Sequence, residues 1–363
     1  MIVTSANSLI EPQIGDSDGA QKNISSDGNR DDANHDATNH GEKPARAGKQ
    51  PRSNNQPRRD KRDVHGWVVL DKPIGMTSTH AVAVVKRLFQ AKRAGHAGTL
   101  DPLASGGLPI ALGEATKTVP FVMDGRKRYR FTVAWGEERD TDDTEGRVTR
   151  TSEIRPSAEA ISDLLPRFTG LIEQIPPQYS AIKVQGERAY DLARDGETVE
   201  LAPRPIEIHH LSLVEQQDSN HSVFEAECGK GTYVRALVRD LALSLGVRAH
   251  VAELRRTRVG PFDAASAIGL ESLETLCHRG APLEALLPVE TALDDIPELA
   301  VTDEDAFRLT QGRSIVLLPR QVETLMARLN ASRTVSARRG TRIVALCEMR
   351  AGRLNPTRVF HLA

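Results

Sequence analysis

Tyr129, Phe131, Val133 and Trp135 occupy every second position of one short stretch, with Arg130, Thr132 and Ala134 between them. Side chains along a strand point alternately to opposite faces, so this pattern predicts a strand with one face buried. Such a strand needs partners on both sides and something to cover its apolar face. "WVVLDKP", from Trp67 to Pro73, reads as a short buried strand stopped by proline. "TSTHAVAVVKRLF" carries Ala81, Val84, Val85, Leu88 and Phe89 at helical spacing. Thr77 or Ser78 is its expected N-cap, and its expected end is near Ala91. "PSAEAISDLLPRF" predicts a helix capped by Ser157, and "HVAELRRTRVGPF" predicts a further strand. "SVFEAECGKGTYVRALVRDLALSLG" predicts strand, glycine turn and helix. Val234, Leu237, Val238, Leu241 and Leu245 form the helix's apolar stripe, and Gly246 stops it. "IPPQYSAIKVQGERAYDLARDG" predicts a proline-stiffened loop and a short helix ending at Gly196. Helices and strands mix without regular β-α-β alternation. That predicts an α+β fold with a largely antiparallel sheet. From about Pro288, short segments separated by turns predict a small β-rich module.

Before Gly66 the composition is different. Residues 1 to about 63 are rich in Asn, Asp, Gly, Ser and Gln, and a disordered extension is expected there. Acidic residues dominate as far as Glu42. Lys43, Arg46, Lys49, Arg52, Arg58, Arg59, Lys61 and Arg62 then follow, with Asp60 as the single acid among them. This block is either a solvated tail or a basic arm that touches RNA phosphates. The whole chain of 363 residues has a formal net charge of -1, so any affinity for nucleic acid must come from local patches. Its three cysteines, Cys228, Cys277 and Cys347, are far apart, which argues against a disulfide framework or a zinc site. No apolar run approaches the roughly 18 residues of a membrane span, and no signal peptide opens the chain. A cytoplasmic protein is expected.

"GHAGTLDP", from Gly95 to Pro102, concentrates the chemistry. The glycines permit a tight turn and close approach of a ligand. Proline disfavours helical backbone at the residue before it, which holds Asp101 extended. A carboxylate fixed in this way could serve as a nucleophile or a general base, or could simply begin a turn. "GHAG" also matches the G-x-x-G loop of a KH domain, but an Asp-Pro turn follows where that module needs a helix. "GGLPIALGEATK" lacks the G-K-[ST] ending of a phosphate-binding loop. His209 and His210 are adjacent on a strand and point opposite ways, which does not suit a metal site.

Six segments decide among these readings. They are "LDKPIGMTS" (Leu70–Ser78), "GHAGTLDPLASGGLPIALGEATK" (Gly95–Lys117), "KRYRFTVAWGEERDTDDTEG" (Lys127–Gly146), "IPPQYSAIKVQGERAYDLAR" (Ile175–Arg194), "CGKGTYVRALVRDLA" (Cys228–Ala242) and "AELRRTRVGPF" (Ala252–Phe262). In this order they closely resemble the bacterial tRNA pseudouridine synthases of the TruB family, which isomerise uridine 55 of the T-loop. The resemblance runs from about Gly66 to Leu287. It implies a pseudouridine synthase fold over residues 64–287. More weakly, residues 288–363 resemble the family's RNA-binding module of the PUA type. The extension before Gly66 departs from the family pattern.

Residue roles follow from the same resemblance. Asp101 is the implied catalytic aspartate. Tyr129 would stack on a base flipped out of the folded loop, an interaction worth roughly 1–3 kcal/mol. Tyr233 would lie beside the substrate, and Arg235 would form an ion pair that orients Asp101. Leu254 would line the pocket near the flipped nucleotide, and His96 would contact the RNA. Lys72 is read as supporting the sheet and loop rather than reacting. No metal, nucleotide or redox cofactor is implied. The implied partner is tRNA, without guide RNA or membrane, and a monomer is expected. Two related readings are a guide-RNA-dependent enzyme and a non-catalytic RNA-binding protein that kept the scaffold. A glycoside hydrolase would need a second carboxylate, for which Asp140, Asp142 and Asp143 are available. "RDTDDTEG" reads better as a solvated turn, or as the family's conformational loop.

Overall fold

The computed structural model describes residues 61–180, 182–184, 187–188, 201–329 and 333–362. The polar start of the chain through Asp60 lies outside the described residues, as does the segment predicted as a helix ending at Gly196. In chain order the first elements are β1 (Gly66–Lys72), α1 (Ser78–Leu88), β2 (Ala94–His96), β3 (Ser105–Leu112), α2 (Val119–Asp124) and β4 (Lys127–Trp135). Next come β5 (Glu137–Arg139), β6 (Val148–Thr151), α3 (Ala158–Leu164), β7 (Gly170–Gln174), β8 (Lys183–Val184), β9 (Glu187–Arg188), β10 (Arg204–Gln216) and β11 (His221–Cys228). Then follow α4 (Val234–Ser244), β12 (Ala249–Val259), β13 (Phe262–Asp263), β14 (Ile268–Gly269) and α5 (Leu270–His278). The last stretch holds β15 (Glu298–Ala300), α6 (Asp303–Thr310), β16 (Ile315–Val316), α7 (Pro319–Met326), β17 (Thr334–Arg339), β18 (Arg342–Arg350) and β19 (Arg353–Val359).

The large sheet runs β14-β1-β3-β12-β4-β11-β10-β7, with β2 added to β3 and β13 to β12. Its pairs are antiparallel except β1–β14 and β3–β12. The α+β class and the largely antiparallel mixed sheet are therefore as expected. Residues 298–359 form a separate sheet in the order β15-β17-β18-β19-β16. Among the described residues, no helix is long and apolar enough to cross a membrane.

Local chemistry explains most of the boundaries. The Thr77 hydroxyl caps α1 by accepting from His80 N–H at 3.1 Å, and Ser157 caps α3 by accepting from Ala160 N–H at 3.2 Å. After Leu164 the chain tightens into a short 3-10 turn, Leu165–Phe168, with Pro166 in it. Backbone pairing already starts at Arg62, ahead of Gly66: its N–H donates to Gln90 at 2.8 Å and its carbonyl accepts from Lys92 at 3.3 Å. Gly95 and His96, expected in a loop, instead lie on β2 opposite Ala111 and Ile110.

Two cores share β1. Val68 and Leu70 face the main core with Phe131, Val133, Trp135 and the apolar stripe of α4. Trp67 and Val69 face a second core with Phe262, Val289, Leu293, Ile343, Leu346 and Phe360. Burial on both faces is why "WVVL" reads as an unbroken apolar run. The second core also fixes the C-terminal sheet to the body, and Trp67 and Leu287 exchange two backbone hydrogen bonds of 2.8 Å beside it.

Candidate active site

Six segments meet around one cavity of about 310 Å³: the loop Gly98–Asp101, Met123 and Asp124 at the end of α2, Lys127 and Tyr129 on β4, the turn Gly229–Thr232, Tyr233 and Arg235 at the start of α4, and Leu254 and Arg256 on β12. That volume is at the small end of the range for ligand sites. The β4–β12 register places Tyr129 opposite Arg256 and Phe131 opposite Leu254. The apolar face that fills the core therefore ends at the cavity with half-buried Tyr129. Burial pushes the Tyr129 phenol up to about 12, so it is protonated at neutral pH. Leu254 belongs both to the main core and to the cavity wall.

Arg235 is only 5% exposed, although arginines are usually at the surface. Its Nε and Nη2 lie 3.0 and 2.8 Å from the same oxygen, Oδ2 of Asp101. Nη1 donates to the Thr141 carbonyl and Nη2 to the Tyr179 carbonyl, each at 2.9 Å. Nη1 also lies 3.5 Å from Oδ2 of Asp143. A planar guanidinium can hold these groups together, whereas an ammonium offers no such fork. Just ahead, the buried side chain of Gln174 accepts from Tyr233 N–H at 2.9 Å and donates to the Tyr233 carbonyl at 3.1 Å. Tyr233 is the N-cap of α4 and makes no side-chain cap of its own.

The loop that carries Asp101 is glycine-rich yet tightly held. The carbonyls of Gly98 and Thr99 accept from Arg256 Nη2 and Nη1 at 3.2 and 3.1 Å. Leu100 exchanges two hydrogen bonds of 2.9 Å with the Ser78 hydroxyl. The Asp101 carbonyl accepts from Ala104 N–H at 3.1 Å, closing a turn with Pro102 as its second residue. Pro102 accepts from Gly75 N–H at 2.8 Å and from Lys72 Nζ at 3.3 Å. Each carbonyl from Gly98 to Pro102 thus has a donor. Gly98 needs its glycine for a φ of +101°. Lys72 is fully buried, and its ammonium also donates to the carbonyls of Pro73 and Met76 at 2.9 and 2.8 Å. Burial lowers its pKa to about 8, against the attraction of Asp101.

His96 stands on β2, outside the lining of the cavity. Its Nδ1 is buried with no hydrogen-bond partner among the described residues. Burial and then the charge of Arg256 lower its pKa, so the imidazole is neutral at pH 7.

"RDTDDTEG" is not a solvated turn at its centre: Asp142 and Asp143 are 8% and 2% exposed. Asp143 accepts from the Thr141 hydroxyl at 2.5 Å and from Glu145 N–H at 3.0 Å. It shares the Arg235 guanidinium with Asp101 and is not among the cavity residues, which does not suit the second carboxylate of a glycosidase. Asp142 adopts a φ of +61° and lies 3.4 Å from Arg239. Burial raises its pKa to about 6 despite Arg239 and Arg235. The folded protein therefore binds this proton more tightly than the unfolded chain. The associated stability is fully present below about pH 4 and is lost as pH rises through 6. Asn tolerates the left-handed backbone and carries no charge. Asp142→Asn is expected to remove on the order of 1–3 kcal/mol of that loss. Thermal denaturation at pH 5 and pH 7.5 should show a smaller decline in the variant; an equal decline would contradict this.

The model for the N-terminal domain of TruB family pseudouridylate synthases matches residues 86–234. The model for the C-terminal domain of tRNA pseudouridylate synthase B matches residues 235–294. The tRNA pseudouridine synthase B of Nitrobacter winogradskyi is 65% identical, covering 99% of this chain and 97% of that protein. The chain belongs to the TruB family. The tRNA pseudouridine synthase B of Caulobacter vibrioides is also 65% identical, and 84% of this chain accounts for 99% of it. Among solved structures, a Cbf5-Nop10-Gar1 complex matches at 25% identity with a TM-score of 0.61, covering 82% of this chain and 85% of that one. An H/ACA RNP bound to a substrate RNA matches at 24% identity with a TM-score of 0.62 and the same coverage, and shows the shared fold.

Within this TruB-family site, sequence reading missed Ser78, Gln174 and Arg256, and offered Asp143 only as the second carboxylate of a glycoside hydrolase. Ser78 was legible only as an alternative cap. For Arg256 a signal existed: on a strand it shares a face with Leu254, whereas Arg255 points the other way and pairs with Asp71 at 3.0 and 2.9 Å. Nothing local marks Gln174, whose partner is 59 residues away.

Proposed function

We propose that this protein isomerises uridine to pseudouridine in tRNA, at uridine 55 of the T-loop, with Asp101 as the catalytic carboxylate. The observation that carries the reading is the Asp101 carboxylate on the cavity wall, held through one oxygen by buried Arg235 and sharing that wall with Tyr129. In the reaction the N1–C1′ bond breaks and a C5–C1′ bond forms. The hydrogen on carbon 5 leaves to solvent and N1 gains a proton, so the atoms balance without an oxidant or reductant. Asp101 either attacks C1′ or assists formation of a glycal. Tyr129 stacks on the flipped base, Leu254 and Tyr233 line its pocket, and Arg235 orients the carboxylate. His96 meets the RNA beside the loop, and Lys72 supports the turn from behind. The protein works on bare tRNA as a cytoplasmic monomer, without guide RNA, and residues 288–363 grip RNA away from the cavity. The test is the pure chain with a tRNA transcript and no other RNA, with pseudouridine mapped by chemical labelling and primer extension. One modified T-loop uridine is expected, lost when that position is cytidine; dependence on a second RNA would contradict the reading.

The basic block Lys43–Arg62 is assigned to phosphate contact rather than catalysis. A chain starting at Lys61 retains the pairing of Arg62 and the ion pair of Asp63 with Lys92. It is expected to fold and modify tRNA, with affinity only a few-fold weaker at low salt and a shallower salt dependence. Binding titrations at two salt concentrations check this. A soluble but inert truncated chain would contradict it.

A further inference from the structure

Arg256 is the least explained charge in the molecule. It is 1% exposed, and among the described residues no carboxylate pairs with it. Burying a cation costs several kcal/mol unless good partners compensate. Here all its hydrogen-bond acceptors are neutral, the carbonyls of Gly107 at 2.9 Å, Thr99 at 3.1 Å and Gly98 at 3.2 Å, and Tyr129 stands directly opposite it on β4. An apolar residue would fill a strand position beside Leu254 at lower cost. The backbone of Arg256 is pinned as well. A Cβ on Gly106 would lie 2.3 Å from the Arg256 carbonyl oxygen, so β3 pairs with β12 here with no room for a side chain. A rigid strand therefore presents one planar guanidinium to both the loop before Asp101 and the aromatic ring opposite.

We infer that Arg256 is a positioning residue that sets the spacing between the Asp101 loop and the Tyr129 ring. This rests on the reading of Asp101 as the catalytic carboxylate. The guanidinium has five N–H donors in one plane, which lets it reach several fixed acceptors at once. Lysine has three donors on a single nitrogen and cannot span the same acceptors. If spacing is the role, retaining the charge alone does not restore it.

The experiment uses the full chain as wild type, Arg256→Lys, Arg256→Met and Asp101→Asn. Thermal midpoints establish which variants fold, tRNA binding gives affinity, and single-turnover isomerisation with enzyme in excess gives the chemical step. For Arg256→Lys and Arg256→Met the expected result is affinity within about threefold of wild type and a single-turnover rate at least about fiftyfold lower. A residue that only fills the core would shift the midpoint and leave the rate of folded protein unchanged. A folded variant with a rate within threefold of wild type overturns the inference. So does loss of fold in both variants, which would assign Arg256 to the scaffold alone. An active Asp101→Asn protein would instead overturn the reading beneath it.

Discussion

Asp101→Asn is expected to fold, to bind tRNA within about tenfold of wild type, roughly 1.4 kcal/mol, and to turn over at least about a thousandfold more slowly, some 4 kcal/mol of barrier. The substitution keeps size and shape. The loop around it is held by Arg256, Ser78, Ala104, Gly75 and Lys72 through backbone groups, none of which involves the Asp101 carboxylate. Binding and fold should therefore survive. What disappears is the negative charge that attacks C1′ or assists the glycal. Turnover and filter binding on the same preparation separate the two effects. Substantial turnover in the variant would restore the alternative that Asp101 only begins a turn.

Arg235→Ala should be more damaging, because it acts on stability as well as chemistry. The guanidinium holds Asp101, the carbonyls of Thr141 and Tyr179, and the 3%-exposed side chain of Asp143. Removing one partner of a buried ion pair leaves the other charge uncompensated, at a cost of about 3–5 kcal/mol. Activity of any folded fraction is expected to fall at least about a hundredfold, since the carboxylate loses its orienting fork. Arg235→Lys keeps the charge and should recover much of the stability but little of the rate. Denaturation midpoints alongside turnover distinguish these outcomes. Near-normal turnover in folded Arg235→Lys would mean that fork geometry does not matter.

How far the sequence reveals this structure depends on how local the physics is. The alternation from Tyr129 to Trp135, the caps Thr77 and Ser157, and the stop at Gly246 are set by neighbours in the chain, and each is legible. β3 is not. "SGGLPIAL" carries two glycines and a proline, residues depleted in strands. Gly106 is required by its φ of +101° and because paired β12, 150 residues distant, leaves no room for a Cβ. The site divides in the same way. Asp101, Tyr129 and Arg235 were nominated from motif resemblance, and the structure brings all three to one cavity with Tyr233 and Leu254. His96 was nominated on the same ground but stands on β2 outside that cavity. Asp142 and Asp143 read as part of a solvated turn because carboxylates are usually exposed, yet both are buried. Only the fold reveals that Asp143 and Arg235 meet, and that Arg256 takes its acceptors from a distant loop.

The most direct test of the central claim is tritium release from tRNA labelled at carbon 5 of uridine, using the pure protein. Isomerisation exchanges the N1 bond for a carbon 5 bond, so each event frees one label to water. The expected result is release of one equivalent per tRNA, traced to a single T-loop uridine, by wild type and not by Asp101→Asn. No release by folded wild type, or equal release by Asp101→Asn, would contradict it.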